Sequence, residues 1–251
     1  MLNTVIMGEG EVPLLIVHGL FGSARNWRVL QKRLAEARRV IAVDLRNHGD
    51  SFWDADNSYE ALAGDLAKVI AAHGGTADVL GHSMGGKAAM MLALSASARV
   101  QRLIVADIAP VAYGHTQAGH IMAMQSVDMP VVTRRSEADK QLAQHVADPA
   151  LRAFFLQSVA LGDEGARWQL NLKALGVEMP KIMGFPAQDS AFAGPTLFLS
   201  GAQSDYVLPK MHAGIIENFP QAEFAKVEGA GHWLHAEKPR EFQAAVEAFL
   251  E

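Results

Sequence analysis

The chain has no cysteine. That absence excludes disulfides, a thiol nucleophile and thiolate-held metals, and it suits a reducing compartment. Long apolar runs are missing too: nothing approaches the roughly 18 consecutive apolar residues of a membrane-spanning helix. The segment Met1 to Glu11 carries no basic start, no apolar core and no small-residue cleavage site, so no secretory signal is expected. Like charges never gather into a long block, which leaves no basic stripe for nucleic acid and no acidic tail. The expected setting is the cytoplasm, with no nucleic-acid partner and no stable membrane anchor. Oligomeric state is not written in these features.

What is present is apolar bulk and alternation. Half of the 251 residues are hydrophobic, ample for a sizeable core, and the net charge is only −5. This length fits one α/β domain. Short apolar runs alternate with helical periodicity. Strands are expected at Leu14 to Val17, Val40 to Asp44, Ala77 to Leu80, Arg102 to Ala106, Thr196 to Ser200 and Glu223 to Val227. Helices are expected at Ala24 to Ala37, Tyr59 to His73, Met84 to Ala96, Pro209 to Asn218 and Pro239 to Leu250. Near-continuous apolar strands separated by helices point to a mostly parallel sheet covered on both faces. A hairpin in Leu2 to Met7, before Leu14, would add an antiparallel edge. The rhythm breaks at Pro110. From there to Phe192 only helical patterns stand out (His115 to Val127, Arg135 to Val146, Pro149 to Leu161), which predicts a helical cap inserted within one domain spanning 1–251.

The chemistry sits at the strand ends. Gly81-His82-Ser83-Met84-Gly85 is a G-x-S-x-G turn between a strand and a helix, the context of a nucleophile elbow. Gly81 and Gly85 leave room for the tight turn, and Ser83 is the expected nucleophile. A serine capping a helix after a glycine turn is the plain alternative. The helix N-terminus behind Ser83 favours developing negative charge, so the Met84 N–H is expected to form half of an oxyanion hole. The other half is expected from Leu20, with Phe21 as alternative, in His18-Gly19-Leu20-Phe21-Gly22. His18 is expected to hold that loop.

The base should follow the last strand. Among 10 histidines, His232 lies there, in Gly229-Ala230-Gly231-His232-Trp233. Only neutral imidazole accepts the serine proton. His235 is the competitor, read as a structural contact beside Glu237. For the acid, Asp107 and Asp205 each follow a strand. Counting from Gly201 places Ser204 where many such folds carry the acid. Neighbours in an extended loop point oppositely, so Asp205 faces away if Ser204 faces in. A cap or turn aspartate is the plain reading of either.

Several motifs together resemble the YbfF-type bacterial esterases of the α/β-hydrolase superfamily, a group related to the mitochondrial abhydrolase-11 lipases. They are His18-Gly19-Leu20-Phe21-Gly22, Asp44-Leu45-Arg46-Asn47-His48-Gly49, Gly81-His82-Ser83-Met84-Gly85-Gly86-Lys87, Asp107-Ile108-Ala109-Pro110-Val111 and Gly231-His232-Trp233-Leu234-His235-Ala236-Glu237-Lys238-Pro239. The resemblance covers essentially the whole chain and is weakest in the cap. It implies hydrolysis of small carboxylic esters, extending to acyl-CoA thioesters, with no cofactor and no metal. In that family the acid follows the sixth strand, which falls on Asp107, and a serine after the seventh joins it, which falls on Ser204. Here Asp205 follows that serine, where a neutral residue is expected. Asp44 and Arg46 read as structural ties beneath the site.

The expected reaction is two-step acyl transfer through Ser83, with a pocket lined by Phe21, Met122, Met124, Phe154, Phe155, Trp168 and Trp233. Rivals are the same fold running perhydrolase or carbon–carbon hydrolase chemistry, and a ligand-binding receptor on a hydrolase scaffold.

Overall fold

The computed structural model describes residues 1–162 and 165–251; Asp163 and Glu164, within the expected cap, lie outside them. The strands are β1 (Thr4–Met7), β2 (Leu14–Val17), β3 (Val40–Val43), β4 (Ala77–His82), β5 (Val100–Ala106), β6 (Val159–Gly162), β7 (Gly165–Trp168), β8 (Thr196–Gly201) and β9 (Ala222–Val227). Seven form one sheet in the order β1-β3-β2-β4-β5-β8-β9, parallel except for β1.

The antiparallel edge exists, but β1 pairs with β3 rather than folding back on β2. The reason is topological. Both edges of β2 are taken, by β3 and β4, and all four of its side chains are buried. Of β2 and β3, only β3 has a free edge to offer.

Alternation along the strands divides the core between the two faces. Leu15, Val17, Ile41, Val43, Val79, Leu103 and Val105 face one side, with helices α2 (Tyr59–Ala72) and α3 (Met84–Ser95) packed on them. Leu14, Ile16, Val40, Ala42, Leu80, Ile104 and Leu199 face the other, covered by α1 (Arg28–Leu34) and the last helix, Pro239–Leu250. Each such Leu, Ile or Val contributes about 1.5–3 kcal/mol on burial. Local signals set the helix ends. The Ser58 hydroxyl accepts the Ala61 N–H at the start of α2, and Pro239 occupies the first turn of the last helix, where its missing N–H costs nothing.

Between β5 and β8 the chain builds the cap. Its helices are α4 (Ala118–Gln125), α5 (Arg135–Leu142), α6 (Pro149–Leu156), α7 (Leu172–Val177) and α8 (Met179–Met183). The cap also holds the β6–β7 hairpin, where the sequence pattern predicts a helix through Leu161. The antiparallel ladder between Val159–Gly162 and Gly165–Trp168 satisfies backbone groups that a longer α6 would satisfy internally, and Gly165 has φ of +103°, which glycine adopts without strain. The loop after β3 docks on this region: Gly49 N–H donates to Gln169 O and Asn171 N–H to Asn47 O. No helix of the described residues is long and apolar enough to cross a membrane.

Candidate active site

The elbow is strained, and its neighbours explain why it holds. Ser83 has φ of +54° and ψ of −124° at the end of β4, a region that side-chain-bearing residues seldom occupy. A Cβ on Gly81 would lie 2.3 Å from Gly85 O, and one on Gly85 would lie 2.3 Å from His18 O. The glycines therefore let the turn close against β2. Asp107 and Phe21 also have positive φ, +51° and +64°. Three of the four non-glycine residues in this backbone region thus surround one spot, while the fourth, Asn47, lies in the loop that docks on the cap.

Two loops 149 residues apart in sequence meet there. His232 Nε2 lies 3.1 Å from Ser83 Oγ, and its Nδ1 lies 2.7 Å from Asp107 Oδ2. In the neutral tautomer with the proton on Nδ1, the ring donates to Asp107 and accepts from Ser83. Asp107 is fully buried at the end of β5. Its Oδ1 accepts the Gly201 N–H at 3.0 Å, and its Oδ2 accepts the Ser204 hydroxyl at 2.5 Å. These donors, with His232, give both carboxylate oxygens partners inside the protein. Asp205 points outward, is exposed, and has no hydrogen-bond or ion-pair partner among the described residues.

The loop of Leu20 closes the other side. A Cβ on Gly19 would sit 3.1 Å from Ser83 Cβ, so this backbone abuts Ser83. Among the described residues the N–H groups of Leu20 and Met84 have no protein acceptor. The Phe21 N–H is engaged, donating to His48 Nε2 at 3.3 Å. Of the expected donors, Leu20 and Met84 are therefore the two with free N–H groups, and Phe21 is not. His18 holds this loop: its Nε2 accepts the Leu45 N–H at 3.0 Å and its Nδ1 donates to Gly19 O at 2.8 Å. Asp44 accepts from Ala24 N, Asp50 N and the Asn3 amide, while Arg46 pairs with Asp65 at 2.7 Å. Both are structural ties beneath the site.

Other supports were invisible in the sequence. His82 Nε2–H donates to the backbone carbonyl of His232 at 2.9 Å, and Tyr206 stacks on the His232 ring at 4.1 Å. Glu237 does not accompany His235. Its carboxylate accepts the N–H groups of Gly231 and Trp233, clasping the loop on either side of His232. The only hint was its place in the quoted motif. His235 instead stacks flat on Trp27 at 4.3 Å. Burial, with help from neighbouring histidines, pulls the pKa of His82 well below the usual range and those of His48 and His235 down to about 3. Burial likewise lowers His18. These rings are neutral wedges, which leaves His232 as the imidazole in contact with Ser83.

A cavity of about 250 Å³ opens over Ser83. Phe21, Phe154, Phe155 and Trp233 line it, as expected. Met122, Met124 and Trp168 do not. Met122 is exposed, whereas Met124 and Trp168 are buried inside the cap, the indole donating to Met124 O at 2.9 Å. Lys87, Tyr59 and Tyr113 also reach the cavity wall. Burial pulls the Lys87 amine down to about 7. Among the described residues no cluster of His, Asp and Glu is arranged to hold a metal ion.

A strained serine at the tip of a parallel-sheet strand, facing a histidine and a buried aspartate, is the architecture of an α/β hydrolase. The family model described as alpha/beta hydrolase fold matches residues 12–239, and the chain belongs to that family. Similar proteins include the sn-1-specific diacylglycerol lipase ABHD11 of Mus musculus, 44% identical over 97% of this chain and 82% of that protein. Esterase YbfF of Escherichia coli is 37% identical over 95% of this chain and 92% of its own length, which bears out the resemblance drawn from the motifs. Among solved structures, a marine microorganism esterase superposes with a TM-score of 0.95 at 36% identity, covering 99% of this chain and 98% of that one.

Proposed function

We propose that this chain is a serine carboxylesterase that hydrolyses small carboxylic esters through an acyl-enzyme on Ser83. The observation that carries the reading is the relay itself: one imidazole within hydrogen-bond reach of both Ser83 and the buried Asp107. The names of its relatives, an esterase and a diacylglycerol lipase, support ester chemistry.

Ser83 Oγ attacks the ester carbonyl as His232 Nε2 takes its proton. Asp107 keeps the other ring proton on Nδ1 and stabilises the imidazolium, and the Ser204 hydroxyl helps orient that carboxylate. The oxyanion is met by the N–H groups of Leu20 and Met84, each contributing about 3 kcal/mol in the transition state. His232 then protonates the leaving alkoxide. It next deprotonates a water, which attacks the acyl-enzyme; the Ser83 Oγ–acyl bond breaks, His232 returns that proton to Ser83 Oγ, and the acid is released. The same steps apply to a thioester carbonyl with a thiolate leaving group, so acyl-CoA hydrolysis belongs to the same proposal. The small cavity suits short acyl groups.

The test combines a fluorophosphonate probe with a panel of nitrophenyl esters and acyl-CoA substrates. Wild type labels at Ser83 and hydrolyses short esters, and folded Ser83→Ala loses at least about a thousandfold in turnover. Near-normal hydrolysis by that variant would refute the assignment, as would an unlabelled wild type.

A further inference from the structure

One buried lysine amine lies at the base of the cap and takes no part in the relay. Lys87 sits on α3 one turn beyond Ser83, its N–H donating to Ser83 O at 3.1 Å, and it is only 1% exposed. No carboxylate among the described residues pairs with it. Its Nζ instead donates to three backbone carbonyls: Val111 at 2.9 Å, Met183 at 3.0 Å and Gly184 at 2.6 Å.

Those three carbonyls belong to the two roots of the cap. Val111 lies where the chain leaves the sheet after β5, and Met183 and Gly184 lie where it returns after α8. Neither root is part of the sheet ladder. An ammonium has three donors, and here each has one acceptor, so the match is complete. The ring of Tyr113, in the first root, faces the ammonium at 4.8 Å, and that of Tyr59, from α2, at 5.8 Å. Both tyrosines reinforce the junction: Tyr113 N–H donates to Met183 O, and the Tyr59 hydroxyl donates to Ile182 O at 2.6 Å. Three carbonyl dipoles and two ring faces favour the charged form against the cost of burial. A methionine would fill similar space without that cost, so volume alone does not account for a lysine here.

We propose that Lys87 is a positioning residue that pins both roots of the cap to the nucleophile's helix and thereby fixes the wall of the substrate cavity. The proposal rests on the esterase reading above for its kinetic consequence, but not for its structural one. Lys87, Tyr59, Tyr113, Ile182 and Met183 all line the cavity, so this junction is part of the wall that an acyl group meets. If the pin is removed, the roots separate, the wall recedes and short substrates are held loosely. The sheet and the relay stay in place, because none of their hydrogen bonds passes through Nζ.

The test exploits the absence of cysteine. Lys87→Met and Lys87→Cys are made, and the single thiol is alkylated in denaturant before refolding. Bromoethylamine restores an ammonium of nearly the native reach, and iodoethane supplies an apolar control. Nitrophenyl butyrate and octanoate kinetics, fluorophosphonate labelling of Ser83 and amide hydrogen exchange are then measured on each protein. The expected result for Lys87→Met and the ethylated protein is retained labelling, a KM for butyrate raised about tenfold with kcat lowered less than threefold, and a narrowed preference for butyrate over octanoate. Exchange of the Tyr113 amide accelerates at least tenfold while β4 and β5 amides are unchanged. The aminoethylated protein reverses these effects. Unchanged KM and unchanged Tyr113 exchange in Lys87→Met would overturn the proposal. So would equal rescue by the ethyl group, which would reduce Lys87 to a space-filler. Loss of labelling together with accelerated exchange throughout the sheet would also overturn it, by making Lys87 a support of the whole fold. Failure of the esterase reading shows differently: wild type would neither label nor hydrolyse, while the Tyr113 exchange comparison would still report on the pin.

Discussion

Acidification to pH 5 is expected to destabilise this protein well before its carboxylates titrate. His48 and His235 are the source. Burial pulls both down to about 3 in the folded chain, where each ring is locked among other rings or backbone groups. Once unfolded, they titrate near 6.5. The sign follows from proton counts. Below about pH 6.5 the unfolded chain binds a proton at each ring that the folded chain refuses, so stability falls as pH falls through the window from 6.5 to about 3. Integrating from pH 7 to pH 5 gives about 2 kcal/mol per ring, so about 4 kcal/mol for the pair. His18 and His82, lowered for the same reason, add in the same direction. Against a total stability of about 5–15 kcal/mol, the loss is large. Urea unfolding followed by tryptophan fluorescence at pH 7, 6 and 5 measures it. His235→Phe keeps an aromatic ring on Trp27 and removes one titration. Whatever its stability at pH 7, its loss between pH 7 and 5 is expected to be about 2 kcal/mol smaller than that of wild type. A wild-type stability at pH 5 within about 1 kcal/mol of that at pH 7 would refute the reasoning.

The acid and its surroundings offer further tests. Asp107→Asn is expected to lower kcat by roughly a thousandfold or more through loss of tautomer control, and Asp205→Asn by less than about twofold; a large loss in the Asp205 variant alone would reverse the assignment. Glu237→Ala releases two N–H groups beside His232 and is expected to cost about ten- to a hundredfold in kcat/KM, with Glu237→Gln intermediate; wild-type kinetics in Glu237→Ala would show that the loop holds itself. With nitrophenyl esters of graded length, kcat/KM is expected to fall once the acyl group outgrows the cavity of about 250 Å³. A steady rise out to palmitate would mean that the cap opens to admit long chains.

Much of this molecule was legible because its signals are local. Apolar runs such as Leu14–Val17 and Thr196–Gly201 are buried on both faces and read directly as parallel strands. Ser58, Pro239 and the glycines around Ser83 act within one turn of the places they mark. What escaped depends on pairing at a distance. Ser158-Val159-Ala160-Leu161 continues a helical pattern, and only the partner strand from Gly165 to Trp168 makes Val159–Gly162 extended. The edge chosen by β1 depends on which edges the later strands leave free.

The same division runs through the site. Ser83, Asp107 and His232 each follow a strand, so strand order and loop chemistry were enough to nominate them. Alternation in the loop after Gly201 placed Ser204 inward and Asp205 outward, and the geometry has Ser204 on Asp107 and Asp205 in solvent. The residues that hold the relay in register leave no such trace. His82 donates to a carbonyl 150 positions away, and Lys87 reaches carbonyls 24, 96 and 97 positions away. Each lies within four residues of the nucleophile, yet neither acts on it directly. A motif read as one nucleophile and its glycines therefore contains two further instructions. His82 fixes the backbone of the base, and Lys87 fixes the roots of the cap. One turn of chain at the end of β4 thus carries Ser83, holds the backbone of His232 and meets both roots of the cap. That concentration gives a physical reason for the motif to extend through Gly86 and Lys87. Lysine at its last position costs desolvation, and three carbonyls at two chain crossings, one of them shared with the Tyr113 N–H, offset it.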